Sequence, residues 1–332
     1  MKKRIGRGIL LLSAFVLVVT TLIHAEGKRE EAKFPTKPIT VLQGFKPGGG
    51  SDALAQLVQP FLEKKLGVSF VNQYIPGATG AIAWTQLAKQ TKNDGYTISI
   101  TNTPMLMTNY IMNPEITYSV DDLEPLANIV TDPGIIVVGK NSPFQSVQDF
   151  LNAVKANPGK ITVANSGVGG DDFFTTLIFQ KETGLKVQMV PFDGDGPSWQ
   201  AAMAGKVDVS FNNLGVTYPQ IRAGNLRALA LFAEKRDSMI PEVPTMKEIG
   251  FNIIAGSSRG YSAPKGIPEQ IKKVYLKAFE EVAKDPALIS AANARALPMD
   301  VKIGEEYRVY LKTQEKVFKE IWNEVKSQYS VK

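Results

Sequence analysis

From Lys37 onward, short apolar runs that alternate with polar residues give way repeatedly to longer stretches with apolar residues every three or four positions. That alternation predicts an α/β architecture with a mainly parallel sheet. Ile39-Thr40-Val41-Leu42 reads as a first strand, and Leu54 with Leu57-Val58 as the inner face of the helix after it. Between them stands Phe45-Lys46-Pro47-Gly48-Gly49-Gly50-Ser51-Asp52. Three consecutive glycines weaken any helix or strand interior, so they mark a tight turn or a close backbone approach. Ser51 and Asp52 suit the helix N-cap. A helix start presents unpaired N–H groups and partial positive charge, a ready site for a carboxylate or phosphate. A plain chain reversal is the alternative. No Gly-Lys-Ser or Gly-Lys-Thr closes the turn and no Gly-x-Gly-x-x-Gly spacing occurs in it, which argues against a nucleotide.

The same theme recurs downstream. A strand over 69–74 ends at Ile75-Pro76-Gly77-Ala78-Thr79-Gly80, with a helix over 81–89. A strand over 97–101 ends at the polar tip Thr101-Asn102-Thr103-Pro104, and ligands in open α/β sheets sit beyond such carboxyl ends. Apolar strands over 123–130 and 135–138 flank Thr131-Asp132-Pro133-Gly134, read as a turn crossing into a second lobe. There, a helix from Ser146 and a strand over 161–165 lead into Ser166-Gly167-Val168-Gly169-Gly170-Asp171-Asp172 and a helix from Phe173. This second glycine turn, with its acidic cap, mirrors the first, and two such turns facing each other would grip an anion. A strand over 187–190 enters a turn holding Asp193 and Asp195, and a strand over 207–211 ends at Asn212-Asn213. A strand over 224–232 and a helix from Thr245 close the lobe. Residues 255–264 read as the return crossing, and the chain from Pro268 reads as helical.

The first residues differ from the rest. Lys2, Lys3, Arg4 and Arg7 precede an apolar run over 9–23, then His24-Ala25. This is the shape of a cleavable signal peptide over 1–25, and the run is short for a membrane span, which needs ~20 residues. Residues 26–33 are expected to be a flexible leader. The lobes are expected at 34–133 with 258–332, and at 134–257. Of the formal charge of +6, four basic residues leave with the leader. The remaining balance, about +2, and the lack of any basic stripe exclude nucleic acid as a partner class.

The chain has no cysteine, and its single histidine is His24. That removes lipid attachment, thiol catalysis, serine–histidine triads and nearly all transition-metal sites. A periplasmic location suits a cysteine-free secreted chain of this size. The adjacent carboxylates Asp121-Asp122 and Asp171-Asp172 are expected to cap helices rather than act as acid and base. Binding without chemistry, with no cofactor and no metal, fits best.

Phe34-Pro35-Thr36-Lys37-Pro38-Ile39, the Phe45–Asp52 turn, Ile75-Pro76-Gly77-Ala78-Thr79-Gly80, Asp94-Gly95-Tyr96-Thr97 and Ser166-Gly167-Val168-Gly169 occur in that order. Val190-Pro191-Phe192, Gly224-Asn225-Leu226-Arg227-Ala228-Leu229-Ala230, Val243-Pro244-Thr245 and Ala263-Pro264-Lys265-Gly266 follow. Together they resemble the Bug or TctC family of extracytoplasmic solute receptors of tripartite tricarboxylate transporters. The resemblance implies a type II periplasmic-binding-protein fold whose two lobes close over a small carboxylate in the cleft between them. It implies that backbone N–H groups and waters of the two glycine turns hold the carboxylate, at Gly48, Gly49, Gly50 and Ser51 and at Ser166, Gly167 and Gly169. Phe45, Asp52, Ala78, Thr79, Thr101, Asn102 and Asn212 are the expected surroundings. The implied partner is a permease of one large and one small subunit, with a sensor kinase as the alternative and a secreted enzyme as a third reading. The chain departs from the family pattern at Gln56, where arginine is common, at Asp172, where histidine is common, and at Ser258, where an aromatic is common. Arg259 is the candidate partner of a second carboxylate; its alternative is a surface arginine at the hinge. Asp193 and Asp195 are candidates to meet a ligand amine or to shape their turn.

Overall fold

Strand β4, Leu123–Gly139, is the axis on which the sheet is assembled. The structure, a computed structural model, describes residues 34–329 apart from Gly48, Asp193 and Ala296, so the expected signal peptide and leader lie outside the described residues. The chain divides into a unit over 1–36 and a unit over 37–332, and the whole sheet belongs to the second.

Its strands are β1 (Ile39–Gln43), β2 (Phe70–Tyr74), β3 (Thr97–Thr103), β4, β5 (Thr162–Asn165), β6 (Gln188–Pro191), β7 (Val209–Asn213), β8 (Leu226–Phe232), β9 (Gly256–Pro264) and β10 (Met299–Ile303). They form a 10-stranded sheet in the order β2-β1-β3-β9-β4-β7-β5-β6, with β8 and β10 also on β4. Parallel ladders join β1 to β2 and β3, and β5 to β6 and β7. Every ladder of β4 and β9 is antiparallel, so the sheet is mixed rather than mainly parallel.

The turn expected at 131–134 is absent. β4 runs straight through it, pairing with β9 over Leu123–Pro133 and with β7 and β8 over Gly134–Gly139. Pro133 has no N–H to give, and it falls where β4 passes from one set of partners to the other; Gly134 next to it donates to the Ala255 carbonyl at 2.8 Å. Proline is tolerated in a strand at such irregular points. The return crossing is itself a strand, β9, drawn close to β4: a Cβ at Gly260 would lie 2.3 Å from the Ala127 carbonyl oxygen. Helices Met105–Met112 and Leu214–Arg222 follow the tips of β3 and β7, and the helical remainder is broken by β10. No helix forms at Thr245, where the chain makes turns.

Two aromatic cores flank the changeover in β4. Trp84, Tyr118, Phe173, Phe174, Tyr307 and Phe318 form one, and Phe150, Phe179, Phe211 and Phe232 belong to the other. Helix Asp171–Thr183 enters both, because Phe173 and Phe174 face the first and Phe179, about one and a half turns on, faces the second. The C-terminal helix, Glu305–Tyr329, buries Tyr307, Leu311, Phe318 and Ile321 at the spacing of one helical face.

Phe211 is fully buried, with ring centroids 5.4 Å from Phe179, 5.0 Å from Phe232 and 6.3 Å from Phe150. Phe211→Ala is therefore expected to lower the unfolding free energy by ~3–5 kcal/mol. Urea titration should show this as a lower midpoint with an unchanged slope.

Candidate functional site

The first glycine turn delivers helix Gly50–Leu66 beside β3 and β9. Its N-cap is Gly49, with φ −87° and ψ −178° and no side-chain cap, so Ser51 and Asp52 sit inside the first turn rather than at the cap. Both are buried. Ser51 Oγ donates to Asn102 Oδ1 at 2.9 Å, and Asp52 accepts from Tyr74 Oη at 2.7 Å and Gln56 Nε2 at 2.9 Å. The first intrahelical bond is Ala53 N to Gly49 O, so the amides of Gly50 and Ser51 lie ahead of it and are not consumed by the helix.

Arg259 lies on β9 directly opposite Asn102 of β3. It is not a surface arginine: it is 3% exposed. Its guanidinium packs against Gly50, where a Cβ would fall 2.6 Å from both Cζ and Nε, so any larger residue there would have to push the guanidinium aside. Nη1 pairs with Asp132 Oδ2 at 3.1 Å, and Nη2 reaches Asn213 Oδ1 at 3.4 Å. Nε has no hydrogen-bond partner. Asp132 Oδ1 in turn accepts from Gly215 N at 2.8 Å, at the start of helix Leu214–Arg222, where a carboxylate is favoured. Burial pushes the Asp132 carboxyl up, against the opposing pull of Arg259 and the Gly215 amide.

The second glycine turn has the opposite character. Gly167 and Gly169 adopt φ of +116° and +88°, and the N-cap of helix Asp171–Thr183 is Gly170. Gly167 N donates to Asn165 Oδ1 at 3.1 Å and Gly170 N to the Gly167 carbonyl at 3.1 Å, and the backbone amides at the helix start pull against the raised Asp171 carboxyl. Asp171 and Asp172 are therefore neither side-chain caps nor solvated; both are buried. Asp171 Oδ2 also accepts from Asn213 Nδ2 at 2.8 Å, which joins the second turn to Arg259 through a single asparagine. Oxygens of Asp171, Asp172 and the half-buried Asp195 all lie within 4.8 Å of one another. Burial raises all three carboxyls, Asp172 most strongly under the added repulsion of Asp171 and Asp195, and Asp195 is pushed up to about 7.

The other expected residues are spread around this centre. Asn212 is buried and donates to the Asp195 carbonyl at 3.1 Å, which fixes the backbone of that turn. Thr101 is spent inside the core, its Oγ1 3.2 Å from Ser262 Oγ and 3.1 Å from Tyr307 Oη. Phe45 packs edge-on against Trp84 at 6.2 Å. Ala78 and Thr79 are exposed and both left-handed, at φ +45° and +52°. Ser166 Oγ has no partner, and the Gly169 carbonyl accepts from Thr108 Oγ1 at 2.7 Å. Gly48 and Asp193 lie outside the described residues. Sequence reasoning missed Asp132, hidden in an apparent turn, and left Asn213 as an unassigned half of a polar tip.

Paired parallel units folded onto shared antiparallel strands, with a buried polar centre where strand tips and glycine turns converge, define a solute receptor of the periplasmic-binding-protein type. A protein solved as a periplasmic transporter superimposes with a TM-score of 0.80 at 31% identity, covering 87% of this chain and 97% of that one. Residues 54–320 match the family described as tripartite tricarboxylate transporter family receptor, TctC, and the chain belongs to that family. BugT of Bordetella pertussis is 29% identical over 281 residues, 84% of this chain and 86% of BugT. R. palustris Rpa4515, solved with adipate, has a TM-score of 0.79 at 25% identity and covers 87% of this chain and 97% of its own. The family is one of solute-binding receptors, not enzymes.

Asp132→Ala would leave Arg259 buried without its counter-charge, and a loss of ~3–5 kcal/mol in denaturant unfolding is expected. The raised carboxyls also fix a pH dependence. A group whose pKa is higher folded than unfolded binds more protons in the folded state, so its stabilising effect is lost as pH rises through the folded value. With Asp195 at about 7, the melting temperature of the ligand-free protein should fall between about pH 5 and pH 8. Asp195→Asn should flatten that slope; a flat profile in the unsubstituted protein would contradict the raised values.

Proposed function

We propose that the protein is a periplasmic receptor that captures a small carboxylate by closing its two lobes, bounded at about residues 133 and 258, and hands it to a tripartite tricarboxylate transporter permease. The observation that carries this reading is the buried Arg259, whose Nε lacks a partner beside a helix start whose first amides the helix does not use. A buried donor left unmatched is costly, and a charge-assisted bond from a carboxylate would satisfy it. The relative solved with adipate supports the same ligand class. Export through the cleavable leader would place the receptor where a permease can meet it.

A thermal-shift screen against di- and tricarboxylates, amino acids and aromatic acids tests the ligand class. A true ligand at 100 times its Kd should stabilise the protein by ~2.7 kcal/mol. If only uncharged sugars raise the melting temperature, the carboxylate assignment fails. Ser51→Pro, in the first helical turn where the helix itself asks for no N–H, deletes one of these helix-start amides. It should weaken binding of the same acid about tenfold, the worth of one charge-assisted hydrogen bond; unchanged affinity in folded protein would argue against main-chain capture there.

A further inference from the structure

The two glycine turns meet across Arg259 and Asn213, yet they carry opposite charge. On the first side are the guanidinium with its open Nε and the amides of Gly50 and Ser51. On the second side are three carboxylates with no cation of their own. Among the described residues no ion pair reaches Asp171, Asp172 or Asp195, and Asp132 has already claimed Arg259. Asp172 is 1% exposed, and its Oδ2 has no hydrogen-bond partner. An acid with no cationic group would satisfy Arg259 but leave Asp172 Oδ2 without a partner, and it would bring an anion beside acids whose burial already resists their ionisation.

An ammonium removes that conflict geometrically as well as electrostatically. Its three donors point to the corners of a tetrahedron, so acceptors at hydrogen-bond distance stand roughly 4.6 Å apart. The three carboxylates offer oxygens within 4.8 Å of one another. A hard divalent cation fits less well, since calcium takes six to eight oxygens and the guanidinium next door repels a double charge. The charge of Arg259 is felt at both Asp171 and Asp195.

We propose that the cleft takes a zwitterion, a small acid whose carboxylate meets Arg259 Nε and the Gly50–Ser51 amides and whose protonated amine lies on Asp171, Asp172 and Asp195. This rests on the carboxylate-receptor reading and narrows it: the amine is what admits the acid.

Calorimetric titration of the ligand-free protein at neutral pH, with acids paired to differ only in an amino group, tests it. The probes are 2-aminoadipate against adipate, aspartate against succinate and glutamate against glutarate, each with EDTA and again with calcium chloride. At least one amino acid should bind a hundredfold or more tightly than its amine-free partner in EDTA. Asp172→Asn should cut that ratio below tenfold while binding of the amine-free acid is kept or improved. Asp195→Asn serves as the second variant should Asp172→Asn fail to fold. Equal affinity within every pair overturns the zwitterion and leaves the carboxylate receptor standing. Tight binding of an amine-free acid that needs calcium and vanishes in EDTA overturns it in favour of a metal ion. Failure of all six acids to bind overturns the zwitterion, and the carboxylate receptor falls with it only if the wider acid screen also leaves the melting temperature unchanged.

Discussion

The ion pair between Arg259 and Asp132 constrains everything around it. Two charges taken from water lose several kcal/mol of hydration each, and their attraction offsets this only when further hydrogen bonds complete both groups. The Gly215 amide completes Asp132, and Asn213 takes one edge of the guanidinium. Gly50 gives up its side chain so that the guanidinium can pack against the backbone. The pair thereby holds β4, β9, the first glycine turn and helix Leu214–Arg222 to one point. Nε is the one guanidinium nitrogen it leaves without a partner.

The two turns show how little local sequence decides chemistry. Each is a strand, a glycine run, an acidic residue or two, and a helix. In the first, the acid turns away to Tyr74 and Gln56, and a cation arrives from β9. In the second, the acid accepts from Asn213 and is joined by Asp172 and Asp195. A helix start favours negative charge in both places. In one the chain supplies that charge itself; in the other it leaves the favour open.

Most of the strands and both glycine turns were legible because period and glycine position are local signals. The ordered motifs made the family legible as well. Asp132 was not, because Asp-Pro-Gly is turn chemistry, and only pairing with β9 and β7, more than 70 residues away, overrides it. Nor was the burial of Asp171 and Asp172. A lone aspartate pair is ordinarily a cap or a solvated group, and the partner that keeps Asp171 inside, Asn213, is 42 residues further on. The N-cap was misplaced by two or three residues because Gly49 offers no side chain to signal it.

β4 belongs to both halves of the sheet at once, its first eleven residues facing β9 and its last six facing β7 and β8. The protein is therefore indivisible along the line where its sequence invites a cut. A fragment ended at Pro133 would keep the aspartate that Arg259 requires but forfeit the edge on which β7 and β8 are templated. A fragment begun at Gly134 would inherit those strands with the helix start of Leu214 uncapped, since the carboxylate that caps it would sit on the other piece.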